Sequence, residues 1–589
     1  MNTKSITLVI LLLVFSTYTA KTQLSTSTMY DSLHYSTFIG GEGLEEAWPF
    51  PSIIYQPDGS IYLAGLTKSS DFLATTAIIN QFEPGEFNLF VIHFMPDSRG
   101  IISGAILGPV DTFRSAVLTL DNSGNILVGG FTKSPNFELI GSGYQSAYAG
   151  GTDAIIIKLN PELDQIIKQT YFGGSGNDEL YSIRIIGTSL YMSGTTLSNN
   201  LPVHNTAFQS TFAGTITGET DLWIAYFDQN LNILLGCTYL GGAGLEAGYL
   251  CQSGESVLIS GFTGSSSYPV TNGAYDTSFN GFLDIMVTRL SDDLSTLEAS
   301  TFIGGGGGDF SYDCTIDAES NVYLTGHGAP GFPVTAGAYD RTYNGGPEGY
   351  DDVVVAKLNP NLSALEAATF IGGNQFENGI KILIDPEDNI LVGGFTYSAN
   401  YPTARNGWDL THGGGADLFI TTLNPSLSDL VFSSFLGGSG DDREMTMLIT
   451  PEENLIVASE TTSSDLEITT GSISSSLGGT ADLCLFIFGE NTNISSVDQD
   501  PHTGNSVEFK FYNNTLHYSF WIDEPQSISF ELMDLQGKRI LELQEFIDQA
   551  GDIKRMVSLT KQWTGHTPGV FIGRVTGAYF VNSMKLFIY

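Results

Sequence analysis

The sequence predicts an all-β protein: a seven-bladed β-propeller followed by a small C-terminal β-sandwich. Three observations support this fold. A short strand ending in Gly-Gly recurs along the chain, and each repeat carries the signals of three further strands. The chain also opens with a Gly-Gly strand that has no preceding partners and closes its last repeat without one. Propeller blades are four-stranded antiparallel sheets, which such units describe.

The Gly-Gly strand defines the repeat. Copies such as TYFGG, TFIGG and SFLGG recur, and a weaker copy, AILGP, fills one gap. The first glycines of the seven copies are Gly40, Gly108, Gly173, Gly241, Gly304, Gly372 and Gly437. By subtraction, consecutive copies lie 63 to 68 residues apart. A regular period of this length predicts seven units of one repeat architecture.

The other three strands of a unit begin with a hairpin. In one unit the run Ile380–Asp385 leads through a turn into Asn389–Gly394, and two such runs joined by an Asp/Asn/Gly turn predict a β-hairpin. The third strand begins with an aspartate in six of seven units: Asp153, Asp221, Asp284, Asp352, Asp417 and Asp482. Because a part that every blade uses is structural, we expect these carboxylates to accept hydrogen bonds from the preceding Gly-rich turn.

The two ends of the repeat region predict how the ring closes. Ser36–Gly41 is a Gly-Gly strand without a blade of its own, and Asp482–Phe488 ends a blade that lacks its Gly-Gly strand. Pairing the two completes the seventh blade and leaves no open sheet edge. The alternative, an open β-solenoid, would have shorter repeats and no need for mismatched ends.

Residues 1–22 resemble an export signal. Lys4 provides the positive charge, and Ile6–Phe15 is an apolar stretch too short to span a bilayer. The alternative, a buried N-terminal strand, disagrees with the polar residues from Ser16 to Thr28. No later run reaches 18 apolar residues, so no membrane span is predicted. We therefore expect a secreted or cell-surface protein, exported across the inner and outer membranes.

Charge and cysteine content exclude several function classes. The chain has 64 acidic and 23 basic residues among 589, a net charge of −41, which would repel nucleic acid and anionic membranes. Its four cysteines, Cys237, Cys251, Cys314 and Cys484, form no zinc-binding pattern and imply no disulfide framework. We expect them to be small buried hydrophobic side chains.

The C-terminal part has a different character. Residues 491–506 are a polar linker, and residues 507–589 carry seven strand signals with nearly balanced charge. About 80 residues with that many short strands are typical of a small β-sandwich.

The repeats resemble the bacterial seven-bladed β-propeller repeat family over residues 35–490. The residues that carry the resemblance are Gly326, Phe332 to Thr335, Phe395, Thr396, Ser398, Tyr401, Pro402, Lys158 to Asn160 and Lys357 to Asn359. The first unit departs from the pattern, because it lacks the Phe-Pro pair and has Asn88 in place of the aspartate. The resemblance implies the propeller fold and leaves the function open.

Residues 507–589 resemble the C-terminal sorting domain of type IX secretion cargo. The resemblance rests on Met533 to Lys538, Pro568 to Phe571 and Lys585 to Ile588. It implies that the secretion machinery recognises this domain and that the protein is then released or attached to surface polysaccharide. The alternative is a plain accessory sandwich.

Two sets of residues are candidates for a site. Gly173–Leu180 and, loosely, Gly437–Asp442 match a calcium-binding nonapeptide, which makes Asp178, Asp441 and Asp442 candidates for a calcium ion. Because these copies stand 264 residues apart (437 − 173), crossovers between blades are the alternative reading. No other cofactor and no catalytic residue is predicted.

Aromatic and histidine side chains form the second set. The loop before the third strand carries aromatic pairs four residues apart, with Trp408 and His412 as the variant. If exposed, such rings could stack on sugars; if buried, they pin the loop to its blade. His327 and His412 depart from the repeat pattern and are therefore candidates for a ligand-binding site used once.

Three functions remain open at this point. The first is an exported, non-catalytic propeller that binds a protein or glycan partner. The second is a secreted glycan hydrolase or lyase that uses propeller carboxylates, and the third is a structural or adhesive surface protein. The sequence does not identify the ligand.

Overall fold

The computed structural model describes residues 32–489, apart from 47–49, 73–76, 97–99, 110–114, 136–138, 142, 216–217, 252–256, 346–350 and 405, and the backbone of seven strands between 507 and 588. The predicted signal peptide (1–22) and linker (491–506) lie outside the described residues. Within the described ranges, all regular structure is β, and no helix is long and apolar enough to cross a membrane.

Seven sheets form the blades, six of them antiparallel throughout and the first with one parallel pair, and each is described from its inner to its outer edge. Blade 1 contains β2 (Glu45–Glu46), β3 (Ser52–Tyr55), β4 (Ile61–Thr67), β6 (Asn88–Met95) and β7 (Gly100–Pro109), with β5 (Ala77–Asn80) parallel to β7. Blade 2 contains β8 (Val117–Leu120), β9 (Ile126–Thr132), β10 (Asp153–Leu159) and β11 (Ile166–Phe172). Blade 3 contains β12 (Ser182–Ile186), β13 (Ser189–Thr196), β14 (Asp221–Asp228) and β15 (Leu234–Leu240).

The remaining blades repeat this order. Blade 4 contains β16 (Glu246–Leu250), β17 (Val257–Thr263), β18 (Asp284–Leu290) and β19 (Leu297–Ile303). Blade 5 contains β20 (Asp309–Ile316), β21 (Val322–Gly328), β22 (Asp352–Leu358) and β23 (Leu365–Ile371). Blade 6 contains β24 (Glu377–Ile384), β25 (Ile390–Thr396), β26 (Asp417–Leu423) and β27 (Leu430–Leu436). Blade 7 contains β28 (Asp442–Ile449), β29 (Leu455–Thr461), β30 (Asp482–Phe488) and β1 (Leu33–Ile39).

The innermost strands contact one another in a closed ring. Around the axis the order is β3, β8, β12, β16, β20, β24, β28 and back to β3. Seven blades around one axis confirm the predicted fold class. The hydrophobic core lies between blades, since each cluster of buried side chains combines residues from neighbouring sheets.

The ring closes through β1, as predicted. This strand pairs antiparallel with β30 from Leu33, opposite Phe488, to Ile39, opposite Leu483. The Phe38 side chain is fully buried, and the Ser36 backbone N–H donates to Thr469 Oγ1 at 2.9 Å. The two chain ends of the propeller are therefore joined within one sheet.

The first hairpin of a blade turns on an aspartate. Asp121, Asp317 and Asp385 each accept, through Oδ1, the backbone N–H of the asparagine four residues later, at 2.8 to 2.9 Å. This side-chain-to-backbone bond mimics a backbone turn and holds the chain ready to reverse. The Asp/Asn/Gly signals in the sequence thus correspond to the observed hairpins.

The prediction for the cysteines is wrong for two of them. Cys251 and Cys314 form a disulfide that links blade 4 to blade 5. They stand 63 residues apart, which is one repeat, so the propeller places Cys251, which directly follows β16, beside Cys314 of β20. Cys237 and Cys484 are free and buried, as expected, and burial raises the pKa of both thiols.

The C-terminal backbone forms two sheets. One contains β31 (Val507–Tyr512), β32 (Thr515–Ile522) and β35 (Gly551–Ser558); the other contains β34 (Arg539–Ile547), β33 (Gln526–Asp534), β36 (Gly569–Thr576) and β37 (Val581–Ile588). The packing of these sheets into a sandwich stays a prediction.

Candidate functional site: the mouth of the central channel

The inner strands all begin at one end of the central channel, which we call the channel mouth. Aromatic rings meet there from blades on opposite sides of the axis. Tyr249 lies 5.9 Å from Tyr181, 6.1 Å from Tyr312 and 6.2 Å from Phe50, measured between ring centroids, and Phe50 lies 6.0 Å from Tyr312. Because Phe50 belongs to blade 1 and the tyrosines to blades 3 to 5, these four rings form an aromatic layer across the axis.

The sequence carries a signal for this layer that is not among the candidate residues named above. Aligned on the repeat, Tyr181, Tyr249 and Tyr312 occupy one position, three residues after the acid that begins the inner-strand segment of blades 3, 4 and 5 (Asp178, Glu246 and Asp309). Blades 6 and 7 have Ile380 and Met445 there. Blade 1 has Trp48 at this position. A tyrosine limited to three consecutive blades is a departure from the repeat, and such departures mark the candidate site.

A chain of polar groups runs from the aromatic layer into blade 5. The Tyr312 hydroxyl lies 3.3 Å from His327 Nε2, and His327 Nδ1 lies 2.9 Å from Asp351 Oδ2. The His327 side chain is only 7% exposed and stacks on Phe310, with 4.4 Å between the ring centroids. When His327 Nδ1–H donates to the Asp351 carboxylate, Nε2 is the nitrogen that accepts a hydrogen bond from the Tyr312 hydroxyl.

Local backbone irregularities occur at Tyr312 of blade 5 and at Glu444 of blade 7. The register of β20 with β21 shifts between Ser311 and Asp313, which leaves Tyr312 as the bulged residue. The register of β28 shifts in the same way around Glu444, whose φ of 49° is unusual for a residue other than glycine. Bulges redirect side chains and are frequent beside functional sites.

The electrostatics of the mouth are acidic. Burial and the nearby Glu444 carboxylate raise the pKa of Tyr312, and burial and Glu179 raise the pKa of Tyr181, so both hydroxyls are neutral at physiological pH. One cation, Arg443, donates to the Tyr397 hydroxyl at 3.2 Å and lies 3.6 Å from Asp441 Oδ2.

An ion pair and a hydrogen bond connect neighbouring blades along the inner strands. Lys381 of blade 6 lies 2.8 Å from Asp313 Oδ2 of blade 5. Arg184 of blade 3 donates from Nε to the Leu250 carbonyl oxygen of blade 4 at 2.9 Å. These contacts fix the inner strands against one another and hold the aromatic layer in place.

His327 is the sequence-predicted residue that the structure places at this site. Blades 2, 4 and 6 have Phe131, Phe262 and Phe395 at the same repeat position. The ring of His327 lies 5.3 Å from Phe376 and belongs to the same aromatic surface as Phe310 and Phe262, whose centroids are 4.7 Å apart. The histidine thus replaces a phenylalanine in the repeat and brings hydrogen-bonding capacity to the channel mouth.

The calcium candidates lie at blade junctions. Asp178 Oδ2 accepts from the Gly174 N–H at 2.6 Å and from Ser198 Oγ at 2.7 Å, and Asp442 Oδ2 accepts from the Gly438 N–H at 2.8 Å. Asp441 instead accepts from the Ala416 N–H at 3.0 Å. In the described part of the chain, no group of three or more His, Cys, Asp or Glu side chains is placed to hold a metal ion. Calcium binding stays a prediction.

Trp408 and His412 lie in a loop of blade 6. Trp408 stacks on Phe488 with 3.8 Å between centroids and meets the edge of Phe432 at 4.9 Å. His412 Nε2 lies 3.3 Å from the Thr396 carbonyl oxygen. The aromatic pairs of the other loops likewise contact rings of the outer strands, as Tyr148 does with Tyr171 and Phe212 with Tyr239. These contacts favour the interpretation that the rings pin loops to their blades.

No protein-family model and no curated protein sequence matches this chain. Among solved structures, an ulvan lyase from a new family of polysaccharide lyases aligns over 79% of this chain and 96% of its own, at 10% identity and a TM-score of 0.39. A quinohemoprotein alcohol dehydrogenase from Comamonas testosteroni aligns over 79% and 78%, at 8% identity and a TM-score of 0.38. The NanB sialidase from Streptococcus pneumoniae aligns over 80% and 72%, at 9% identity and a TM-score of 0.33. At these scores the alignments carry no argument about activity.

Proposed function

We propose that this chain is an exported, non-catalytic β-propeller that binds a glycan at its channel mouth. The observation that carries the proposal is the one-off set of rings and polar groups around Tyr312 and His327. Rings supply flat apolar faces for sugars, while a hydroxyl, an imidazole and a guanidinium supply hydrogen bonds. The strongly exposed Phe282, at 78%, extends this surface, since it and Phe310 both lie beside Gly308.

The charge of the mouth narrows the class of glycan. Glu179, Asp351, Asp441 and Glu444 supply four carboxylates, whereas the Arg443 guanidinium is already paired with Asp441. A polyanionic glycan would be repelled by this excess of negative charge. The proposed ligand is therefore a neutral or amino sugar chain.

A glycan array with the purified full chain tests this proposal, followed by titration calorimetry with the best neutral ligand. We expect Phe310→Ala and His327→Phe to weaken binding at least about tenfold, because they remove a stacking face and a hydrogen-bonding group. The control is His204→Gln, at an exposed histidine of blade 3. Equal affinity of all variants, or selection of sulfated or uronic glycans, would contradict the proposal.

The Tyr312–His327–Asp351 chain also supports a second candidate, a glycan-active enzyme. A histidine oriented by a carboxylate and bonded to a hydroxyl can move a proton to or from a substrate. An assay of reducing ends and of unsaturated sugar products separates the two candidates. Product formation that His327→Phe abolishes would favour the enzyme; binding without product favours the non-catalytic function.

We propose further that residues 1–22 direct export and that residues 507–589 deliver the protein through type IX machinery, so that the propeller acts outside the cell. Support comes from the apolar stretch Ile6–Phe15 and from the C-terminal motifs. Fractionation of a host with this machinery tests the proposal. The full chain should reach the cell surface or medium, while a chain that ends at residue 506 should remain in the periplasm.

A further inference from the structure

Six of the seven blade junctions contain two buried acids that face one glycine. The first acid begins the third strand of a blade, and the second begins the inner-strand segment of the next blade. The pairs are Asp482/Glu45, Asp153/Asp178, Asp221/Glu246, Asp284/Asp309, Asp352/Glu377 and Asp417/Asp442, and all twelve side chains are at most 1% exposed.

The oxygens of a pair approach one point. A Cβ added to Gly173 would lie 2.7 Å from Asp153 Oδ1 and 2.9 Å from Asp178 Oδ2. The same construction on Gly304 gives 2.7 Å to Asp284 Oδ1 and 3.0 Å to Asp309 Oδ2. Two buried carboxylates with facing oxygens repel each other strongly if both are ionised.

The two acids of a pair differ in their hydrogen bonds. Asp178 is fully supplied with donors, because Thr196 Oγ1, Ser198 Oγ and the Gly174 N–H all donate to it. In four of the six pairs the first acid uses only one oxygen: Asp153 Oδ2 accepts from the Ala149 N–H at 2.8 Å, whereas its Oδ1 is buried without a hydrogen-bond partner. The same oxygen is unpartnered in Asp284, Asp352 and Asp417. Asp221 and Asp482 differ, because both of their carboxylate oxygens accept backbone N–H groups.

We propose that the first acid carries a proton on its otherwise unpartnered oxygen and donates it to the second, ionised acid in four of these pairs, those of Asp153, Asp284, Asp352 and Asp417. This arrangement gives the unpartnered oxygen a hydrogen bond and leaves one negative charge for each pair. The ligand of the site is thus a proton, held between two carboxylates at the boundary of neighbouring blades.

The seventh junction supports this assignment. Where the first acid would stand, the sequence has Asn88, and five residues after Gly108, where the second would stand, it has Phe113. Asn88 uses both ends of its amide, accepting from the Glu83 N–H at 2.8 Å and donating to the Glu86 carbonyl oxygen at 2.9 Å. The two acids are absent together, as expected if one acid requires the other.

The charges around the pairs agree with proton binding. Burial and the Asp178 carboxylate raise the pKa of Asp153 to about 7, and burial raises the pKa of Asp178 as well. Glu179, the Cys237 thiol and the Tyr239 hydroxyl also face this pair, and none is a cation. Groups that face the other pairs are Asp71, Glu219, Asp276, Asp340, Asp351, Asp409, Asp465, Tyr268, Tyr343, Tyr401, Cys484 and one base, His412.

The proposal fixes the sign of a pH effect. Between about pH 4, where unfolded carboxyls titrate, and about pH 7, the folded chain binds more protons than the unfolded chain. Stability is therefore greatest at the acidic end of this window and falls as the pH rises through it.

The test is thermal unfolding of the full chain at about pH 5.5 and about pH 8.5, with an infrared measurement of protonated carboxyl groups at about pH 6. The variant combines Asp153→Asn, Asp284→Asn, Asp352→Asn and Asp417→Asn. The amide NH2 of each asparagine can donate a hydrogen bond to the second acid but does not titrate in this pH range. The Tm of the parent should fall between the two pH values, and the Tm of the fourfold variant should fall much less. The infrared band of protonated carboxyl groups should also be much weaker in the variant. The single variant Asp153→Asn should show the same change on a smaller scale, should the fourfold variant fail to fold.

Two controls make the result specific. A variant with Asp164→Asn, Asp292→Asn, Glu387→Gln and Asp388→Asn removes four exposed acids and should keep the parent's pH dependence. Asp178→Asn, at a second acid, should lower Tm at both pH values because three donors lose a carboxylate. An absent infrared band, a Tm that does not fall with rising pH, or a calcium-dependent Tm that Asp153→Asn abolishes would overturn the proposal.

Discussion

The blade junctions and the channel mouth are built on opposite rules. At the junctions the same acids, glycine and hydroxyl side chains occur in blade after blade, as Asp178 with Thr196 and Asp442 with Thr461 show. At the mouth, His327 and Glu444 are residues that the other blades do not repeat, and the tyrosine at the position of Tyr312 recurs only in blades 3 and 4. Recurrence within one chain thus separates what the fold needs from what a ligand site needs.

The largest effect on the free energy of unfolding is expected at β1, the strand that closes the ring. Deleting residues 30–41 removes β1, with the fully buried Phe38 and the pairing to β30, and should cost more than about 5 kcal/mol of unfolding free energy. Chemical denaturation measures the loss. A chain that ends at residue 506 serves as the control and should keep the propeller's stability. Equal midpoints for the two truncations would contradict the role of β1.

A smaller effect is expected at a single junction. Gly173→Ala would place a methyl group against both Asp153 and Asp178, and we expect a loss of about 2–4 kcal/mol because neither buried carboxylate can move away freely. Gly306→Ala is the matched control, since nothing lies within 4 Å of its added Cβ. If the two alanine variants unfolded at the same temperature, the junction would be less tightly packed than described.

The smallest effect on stability is expected at the mouth. His327→Phe installs the residue that blades 2, 4 and 6 carry, so the unfolding free energy should change by less than about 1 kcal/mol while ligand binding is lost. Thermal unfolding and titration of the same sample check both halves. A large loss of stability would place His327 with the structural residues of the repeat instead.

The fold could be predicted from the sequence because the strand pattern of one blade recurs in seven units. The Gly-Gly strands, the Asp-led strands and the unpaired first strand each correspond to an observed element, and β1 pairs with β30 as the mismatched ends indicated. The disulfide between Cys251 and Cys314 depends on the repeat, because two cysteines 63 residues apart become neighbours only when consecutive blades lie side by side.

The site was less predictable because it depends on contacts between distant blades. His327 could be selected as a departure from the repeat, but the partners Tyr312 and Asp351 follow from the bulge in β20 and from the start of β22, which composition and spacing do not reveal. Phe50 meets Tyr249 across the axis, a contact between blades 1 and 4 that no local pattern indicates.

Closure of the ring also sets the order in which the molecule can be made. The strand β1 is among the first residues of the propeller to emerge, yet its contacts with Thr469 and Ser474 join residues 433 and 437 positions apart. Until the last blade is complete, β1 has no partner and the final sheet has an exposed edge. Such long-range pairing slows folding, so the pairing of β1 with β30 is expected to be a late step in the folding of the propeller.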